Sequence, residues 1–82
     1  MKPKLQFYFR QGCHLCEDMW QQLLEEGADS AFELESFDID RNHPLNEKYG
    51  TLIPVLEAEG RILCCYYLDR MALHAYLGTE NA

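Results

Sequence analysis

The sequence has 82 residues, of which 48% are hydrophobic, and a formal net charge of −7. A chain this short predicts one domain, residues 1–82, with a modest core. The acidic charge argues against binding to nucleic acid or to an anionic membrane surface. No apolar run approaches the roughly 20 residues of a membrane span, and the N-terminal residues lack the features of a signal peptide. We therefore expect a cytoplasmic protein, and we expect it to be a monomer.

The first half of the chain predicts a strand, a helix and a second strand. Residues 4–9 are rich in aromatic side chains and almost continuously apolar toward their end, as in a central strand. From Cys13 onward the apolar residues recur at helical spacing, and Gly27 suits the end of that helix. Residues 32–40 alternate in part and predict the second strand. The apolar positions of the helix are Cys16, Met19, Trp20, Leu23 and Leu24.

The middle of the second half predicts a short helix and then a hairpin. Residues 41–50 form the short helix, with Pro44 in its first turn and Gly50 at its end. Residues 51–68 predict two strands, because two apolar runs flank the turn-forming pair Glu59-Gly60.

A last helix follows, with Asp69 as its N-cap and Gly78 as its stop. The predicted order is therefore βαβαββα, with right-handed crossovers between parallel strands. This pattern predicts the α/β class, with a mixed sheet of about four strands and helices on both of its faces. The apolar face of the last helix carries Leu73, Tyr76 and Leu77.

Two cysteines, Cys13 and Cys16, lie where the first strand passes into the first helix. Unpaired backbone N–H groups and the positive end of the helix dipole favour a thiolate at Cys13. Cys16 follows one turn later on the apolar face, so it should be the more buried sulfur and lie within reach of a disulfide. An exposed attacking thiol beside a buried resolving thiol is the arrangement that thiol–disulfide exchange needs.

A structural staple, a zinc site and a chance pairing are the alternatives to a reactive dithiol. A staple fits poorly with the expected cytoplasmic location. Zinc normally needs two further ligands at workable spacing, and Cys64 and Cys65 point to opposite faces of a strand, while His43 and His74 are distant. We therefore predict no metal, and we expect Cys64 and Cys65 to be small buried hydrophobic residues. The alternation of side chains along a strand predicts two faces here. One face carries Ile62, Cys64 and Tyr66, and the other carries Leu63, Cys65 and Tyr67.

Pro54 opens the third predicted strand, where a proline favours a cis Ile53–Pro54 bond. Together with the cysteine pair and the βαβαββα order, this resembles the glutaredoxin branch of the thioredoxin superfamily over nearly the whole chain. The segments "GCHLCED", "FDID" and "YGTLIPVL" are similar to small bacterial glutaredoxin-like proteins, a family formerly described as a domain of unknown function. Thioredoxins proper carry Trp before the first cysteine and Gly-Pro between the two, where this chain has Gly12 and His14-Leu15.

The resemblance implies a thioredoxin/glutaredoxin-like fold and a thiol–disulfide oxidoreductase acting on protein or glutathione mixed disulfides. It implies that Cys13 is the nucleophile and Cys16 the resolving cysteine. It also implies that Pro54 is a cis-proline facing the dithiol, and that Ile53 offers its backbone to the substrate. Arg10 stands where many glutaredoxins keep a basic residue near glutathione.

Gly12 and His14 flank the first cysteine and complete the predicted substrate-binding set. His14 has two interpretations. Its imidazole stabilises the Cys13 thiolate and so raises the reduction potential, or it points into solvent.

The chain departs from the glutaredoxin pattern around the expected glutathione site. Leu52 stands where those proteins usually have Thr, and Cys65, Tyr66 and Tyr67 replace a glycine pair that allows close backbone approach. Asp69 could replace the usual acidic residue, although a helix cap is its simplest role. These departures put glutathione binding in doubt, so we predict no cofactor and leave glutathione open.

Two further functions stay open beside the oxidoreductase. One is a thioredoxin-fold binding module whose dithiol senses redox state without turnover and whose acidic surface meets a partner. The other is an iron–sulfur carrier, which fits poorly because such glutaredoxins usually keep one active cysteine and a glutathione site. The expected partners are protein or small-molecule thiols and disulfides, together with a reductase that recharges the pair.

Overall fold

The computed structural model describes residues 2–28 and 30–80. Within these residues the chain forms four strands and three helices in the predicted order, with one 3₁₀ turn at Ile39–Arg41. The elements are β1 (Lys4–Phe9), α1 (His14–Glu25), β2 (Glu33–Asp38), α2 (His43–Tyr49), β3 (Val55–Ala58), β4 (Arg61–Cys65) and α3 (Arg70–Glu80).

The four strands form one mixed sheet in the order β2-β1-β3-β4. β1 pairs parallel with β2 and antiparallel with β3, and β3 pairs antiparallel with β4. β1 is therefore a central strand, which explains its nearly continuous apolar sequence. The predicted α/β class and the thioredoxin/glutaredoxin-like fold are confirmed.

Two hydrophobic layers cover the two faces of the sheet. On one face, α1 and α3 pack on the strands through side chains that include Met19, Leu23 and Leu73. On the other face, α2 supplies Tyr49, which packs against Val55 of β3. Helices therefore lie on both faces, as the sequence predicts. Along residues 2–28 and 30–80, no helix combines the length and the apolarity that crossing a membrane requires.

α1 buries a narrower face than its apolar spacing predicts. Met19 and Leu23 are fully buried, whereas Trp20 and Leu24 are 37% and 44% exposed. Trp20 lies at the border of the buried face, where its ring packs on Phe7 at a centroid distance of 5.6 Å and leaves its other side open. The helix ends before Gly27, whose φ of +108° is a conformation that favours glycine.

Two details of the second half differ from the sequence prediction. α3 continues through Gly78 to Glu80, so the predicted stop at Gly78 is wrong. Glycine in a helix costs only about 1 kcal/mol relative to alanine, which does not end a helix that packing already holds. Asp69 does cap this helix, because its Oδ1 accepts a hydrogen bond from the Ala72 N–H at 3.0 Å.

A β-bulge in β4 makes the predicted grouping of its side chains wrong. Cys64 and Ile62 oppose consecutive residues of β3, so Leu63 is the extra residue of the bulge. As a result, Leu63 and Cys64 both pack against the α1 and α3 layer, and Cys65 packs against the α2 layer. Strict alternation, which places Leu63 with Cys65, fails at this point because the bulge shifts the register.

A buried carboxylate ties α2 to the sheet. The Glu57 side chain is 7% exposed and accepts hydrogen bonds from the Tyr8 hydroxyl at 3.1 Å and the Tyr49 hydroxyl at 2.9 Å. The two tyrosine rings stack with centroids 4.2 Å apart. Burial, together with the neighbouring Glu57 carboxylate, raises the pKa of both hydroxyls, so each stays a donor at neutral pH.

We expect Tyr49→Phe to lower the free energy of unfolding by about 1–3 kcal/mol, because it removes one donor to a buried carboxylate and leaves the ring in place. Tyr67→Phe is the matched control, since Tyr67 is 70% exposed and its loss should cost under about 0.5 kcal/mol. Urea unfolding at neutral pH measures both. Equal stabilities of the two variants would show that the Glu57 contact does not hold α2.

Candidate active site

Cys13 and Cys16 form a disulfide at the point where β1 passes into α1. The strand ends at Phe9, and Gly12 turns the chain with a φ of +73°. A Cβ on Gly12 would meet no atom within 4 Å, so the backbone conformation is what favours glycine there. The Cα atoms of the two cysteines lie 5.1 Å apart.

The start of α1 stabilises negative charge on Cys13. Cys13 is the N-cap, and its Sγ accepts a hydrogen bond from the Cys16 backbone N–H at 3.1 Å. A thiolate formed here on reduction would lie within reach of the same N–H, at the positive end of a 12-residue helix. Cys16 is 3% exposed within the core, whereas Cys13 is only partly buried. The arrangement therefore has the asymmetry that exchange chemistry needs.

The loop that precedes β3 contains the cis peptide bond expected between Ile53 and Pro54. Pro54 is buried, and Ile53 packs against the same core layer as Cys13. Tyr66 fixes this loop at two places. Its backbone N–H donates to the Pro54 carbonyl at 2.9 Å, and its hydroxyl donates to the Thr51 carbonyl at 2.7 Å.

Tyr66 adopts a φ of +68°, in the left-handed region that favours glycine. A residue with a Cβ costs roughly 1–2 kcal/mol there. The only sign of this left-handed backbone in the sequence is the resemblance to glutaredoxins, which have glycines in this segment. The contacts of Tyr66 to the 51–54 loop offset part of that cost.

Arg10 is engaged by an acidic residue. Its Nε lies 3.1 and 3.0 Å from the two carboxylate oxygens of Asp40, and Asn46 Nδ2 donates to the same carboxylate at 2.9 Å. The positive charge that the sequence places near the dithiol is therefore compensated in the structure. Arg10 still lies beside the site, because it lines a pocket that Gly12 and Cys16 also line.

His14 lies next to the nucleophile in sequence but points away from the core. Its side chain is 96% exposed, and Nδ1 lies 3.7 Å from a Glu17 carboxylate oxygen. Of the two interpretations left open by the sequence, the solvent-facing orientation is the one in the structure. An effect of His14 on the Cys13 thiolate stays a prediction.

The second cysteine pair is separate from the first. Cys64 and Cys65 are half-buried free thiols, and burial raises the pKa of Cys64. A neutral thiol of this kind is a poor nucleophile. Within residues 2–28 and 30–80, no group of three or more His, Cys, Asp or Glu side chains is arranged to hold a metal ion.

Sequence reasoning missed the aromatic side chains beside the disulfide. Phe9 and Trp20 line the pocket next to Cys16, and both contact the ring of Phe7. The signal was present, because Trp20 follows Cys16 by four residues and so shares its helix face. What spacing could not show is that the ring lies at the edge of the buried face and stays accessible.

A family model described as a glutaredoxin-like domain (Glrx-like, DUF836) matches residues 4–78. The chain belongs to this family. As a glutaredoxin-like domain it is similar to protein Ne2328 from Nitrosomonas europaea, whose NMR structure is 44% identical, covers 93% of this chain and 92% of that chain, and superposes with a TM-score of 0.81. It is also similar to protein XcR50 from X. campestris, with 33% identity, coverage of 92% and 96%, and a TM-score of 0.69.

The glutaredoxin-like fold is shared with a thioredoxin. An N21Q mutant thioredoxin from Halobacterium salinarum NRC-1 is 25% identical to the chain. The match covers 93% of this chain and 72% of that thioredoxin, with a TM-score of 0.54. A glutaredoxin-like member of the thioredoxin superfamily with a C-x-x-C pair at disulfide distance suggests a redox function.

In the reduced protein, Cys13 should react with iodoacetamide about tenfold faster than Cys16 near neutral pH. The reasons are the N–H donor at Cys13 Sγ and the burial of Cys16. Limited alkylation followed by peptide mass mapping checks the order, and Cys64 serves as a slow internal reference. Preferential labelling of Cys16 would reverse the assigned roles.

Proposed function

We propose that the protein is a thiol–disulfide oxidoreductase whose Cys13–Cys16 dithiol acts on protein or glutathione mixed disulfides. The observation that carries the proposal is the position of Cys13 as N-cap of α1, where its sulfur accepts the Cys16 N–H. Membership of the glutaredoxin-like family and the cis Ile53–Pro54 bond support it.

The proposed reaction has two exchange steps, and each one moves an electron pair between sulfur atoms. The Cys13 thiolate attacks one sulfur of a substrate disulfide, forms a mixed disulfide, and the other substrate sulfur leaves as a thiolate. Cys16 then loses its proton and attacks the Cys13 sulfur. The Cys13–Cys16 bond forms, and the second substrate sulfur leaves. The substrate disulfide is reduced by two electrons, and the dithiol is oxidised by two.

Turnover with an added dithiol reductant tests the proposal. Reduction of insulin disulfides should be accelerated by the wild-type protein and lost in Cys13→Ser. Cys64→Ser is the matched control, since Cys64 is a half-buried free thiol outside the Cys13–Cys16 pair. Absence of turnover with insulin and with a glutathione mixed disulfide would contradict the proposal.

Trapping separates the roles of the two cysteines. Cys16→Ser should accumulate mixed disulfides with target proteins, because the attacking thiolate remains while the resolving thiol is gone. Cys13→Ser should accumulate none. Non-reducing gels and mass spectrometry measure both variants. Equal yields would show that the two sulfurs do not divide the work in this way.

The second candidate is a redox-sensing binding module. The net charge of −7 favours it, because an acidic surface can meet a basic partner without any catalysis. The insulin and mixed-disulfide assays distinguish the two functions. A sensor changes its partner binding when Cys13–Cys16 is reduced, and it shows no turnover.

Glutathione is a weak candidate for the recharging thiol. Its carboxylates need cations, whereas Arg10 is engaged by Asp40. Tyr66 occupies the segment where glutaredoxins carry glycines, and its hydroxyl contacts the Thr51 carbonyl. Protein dithiols or a thioredoxin-type reductase are the preferred exchange partners under this proposal, which requires no bound cofactor. The proposal also places the protein in the cytoplasm, because a C-x-x-C pair in a reducing compartment is usually catalytic or metal-binding. It further takes the protein to be a monomer.

Glutathione should bind the reduced protein weakly, with a dissociation constant in the millimolar range or above. Losing two or three charge-assisted hydrogen bonds of roughly 1.5–3 kcal/mol each weakens binding by a few orders of magnitude. NMR titration with reduced glutathione measures this through shifts around Arg10, Pro54 and Asp69. Micromolar saturation with shifts at all three positions would instead indicate an ordinary glutaredoxin.

A further inference from the structure

A pocket of about 230 Å³ opens beside the disulfide, between the start of α1 and the neighbouring strands β1 and β2. Cys16 and Gly12 contribute to its wall. Three aromatic residues, Phe7, Phe9 and Trp20, line it together with four polar or charged residues, Arg10, Gln11, Glu17 and Ser36. The ring of Phe7 stacks on Phe9 with centroids 5.8 Å apart and packs on Trp20 with centroids 5.6 Å apart. Trp20 remains 37% exposed, so the aromatic wall is accessible from solvent.

We propose that this pocket binds an aromatic side chain of a substrate polypeptide whose disulfide undergoes exchange at Cys13. The proposal deepens the oxidoreductase function and rests on it. An apolar cavity of roughly 150 Å³ accommodates benzene, so the pocket has room for one ring. Aromatic walls favour a ring over an aliphatic chain, because offset and edge-to-face contacts add to the gain from burial.

The position of the pocket suits a substrate segment that crosses the disulfide. Ser36 of β2 lines the pocket on one side of the central strand β1. Pro54 precedes β3, which pairs with the other side of β1. A polypeptide that contacts both the 51–54 loop and the pocket therefore passes over the disulfide. Such anchoring raises the effective concentration of the substrate disulfide at Cys13.

The charges on the pocket rim define the substrate further. Arg10 is neutralised by Asp40 at 3.0 Å. The Glu17 carboxylate is 71% exposed, and one of its oxygens lies 3.7 Å from His14 Nδ1. The rim therefore presents the exposed Glu17 carboxylate beside an arginine already paired with Asp40, on a chain whose net charge is −7. The substrate that fits carries a basic residue near its aromatic one.

Synthetic peptides test the proposal. One peptide contains a cysteine, a phenylalanine and a lysine, with the phenylalanine placed one to four residues from the cysteine, and is oxidised to its disulfide-linked dimer. In matched peptides, alanine replaces the phenylalanine or glutamate replaces the lysine. Binding to the oxidised protein, which cannot exchange, is measured by the fluorescence of Trp20, the single tryptophan of the sequence. Rates of peptide reduction are measured with the reduced protein.

We expect the best phenylalanine peptide to bind and to react about tenfold better than its alanine match, the factor that burying one ring supplies. The lysine peptide should exceed the glutamate peptide. Ser36→Phe, which fills the pocket from β2, should make the phenylalanine and alanine peptides bind and react equally well. Glu35→Phe, which alters the opposite face of the same strand, should leave the roughly tenfold preference for the phenylalanine peptide unchanged.

Equal binding of the phenylalanine and alanine peptides to the wild-type protein would overturn the proposal, whether or not Ser36→Phe folds. A Trp20 fluorescence change with protein concentration alone would also overturn it, because a second copy of the chain would then occupy the pocket. Binding that depends on the ring in a protein without exchange activity would support the pocket and refute the oxidoreductase. Exchange activity without a preference for the phenylalanine peptide would support the oxidoreductase and refute the pocket.

Discussion

The hydrogen bond from the Cys16 N–H to the Cys13 sulfur is the contact on which the rest of the site depends. It exists because β1, a central strand held on both sides, carries the chain directly to the first turn of α1. One sulfur there accepts a backbone N–H at the positive end of the helix, while the other lies inside the core one turn later. A loop of different length between β1 and α1 would separate the two sulfurs from these environments.

The two core layers hold the other half of the site in place. Ile53 packs against both layers, so the cis-proline loop lies where they meet. Glu57, two residues beyond the start of β3, accepts hydrogen bonds from the hydroxyl of Tyr49 in α2 and from that of Tyr8 in β1. Tyr66, the residue after β4, holds this loop through its hydroxyl, which donates to the Thr51 carbonyl. Under the proposed function, this loop is the surface against which a substrate disulfide lies.

Local signals in the sequence predicted most of the fold and the closeness of the Cys13 and Cys16 sulfurs. Periodicity and capping residues predicted the helices and strands. The spacing of Cys13 and Cys16 predicted a disulfide at the start of a helix, and the position of Pro54 predicted the cis peptide bond. The remaining features depend on pairing between distant segments. The bulge at Leu63 follows from the register of β4 against β3, and the Arg10–Asp40 pair joins residues 30 positions apart. The side chains that contact Glu57 likewise come from separate elements, so no local pattern reveals them.

The reduction potential of Cys13–Cys16 tests the account most directly, because it separates a reactive pair from a structural staple. The protein is equilibrated in dithiol buffers of stepped potential, quenched by alkylation, and the reduced fraction is measured by mass spectrometry. Stabilisation of the Cys13 thiolate by α1 predicts a two-electron transition between roughly −120 and −270 mV, the range of exchange proteins. A midpoint below about −300 mV, as in structural disulfides, would contradict the account.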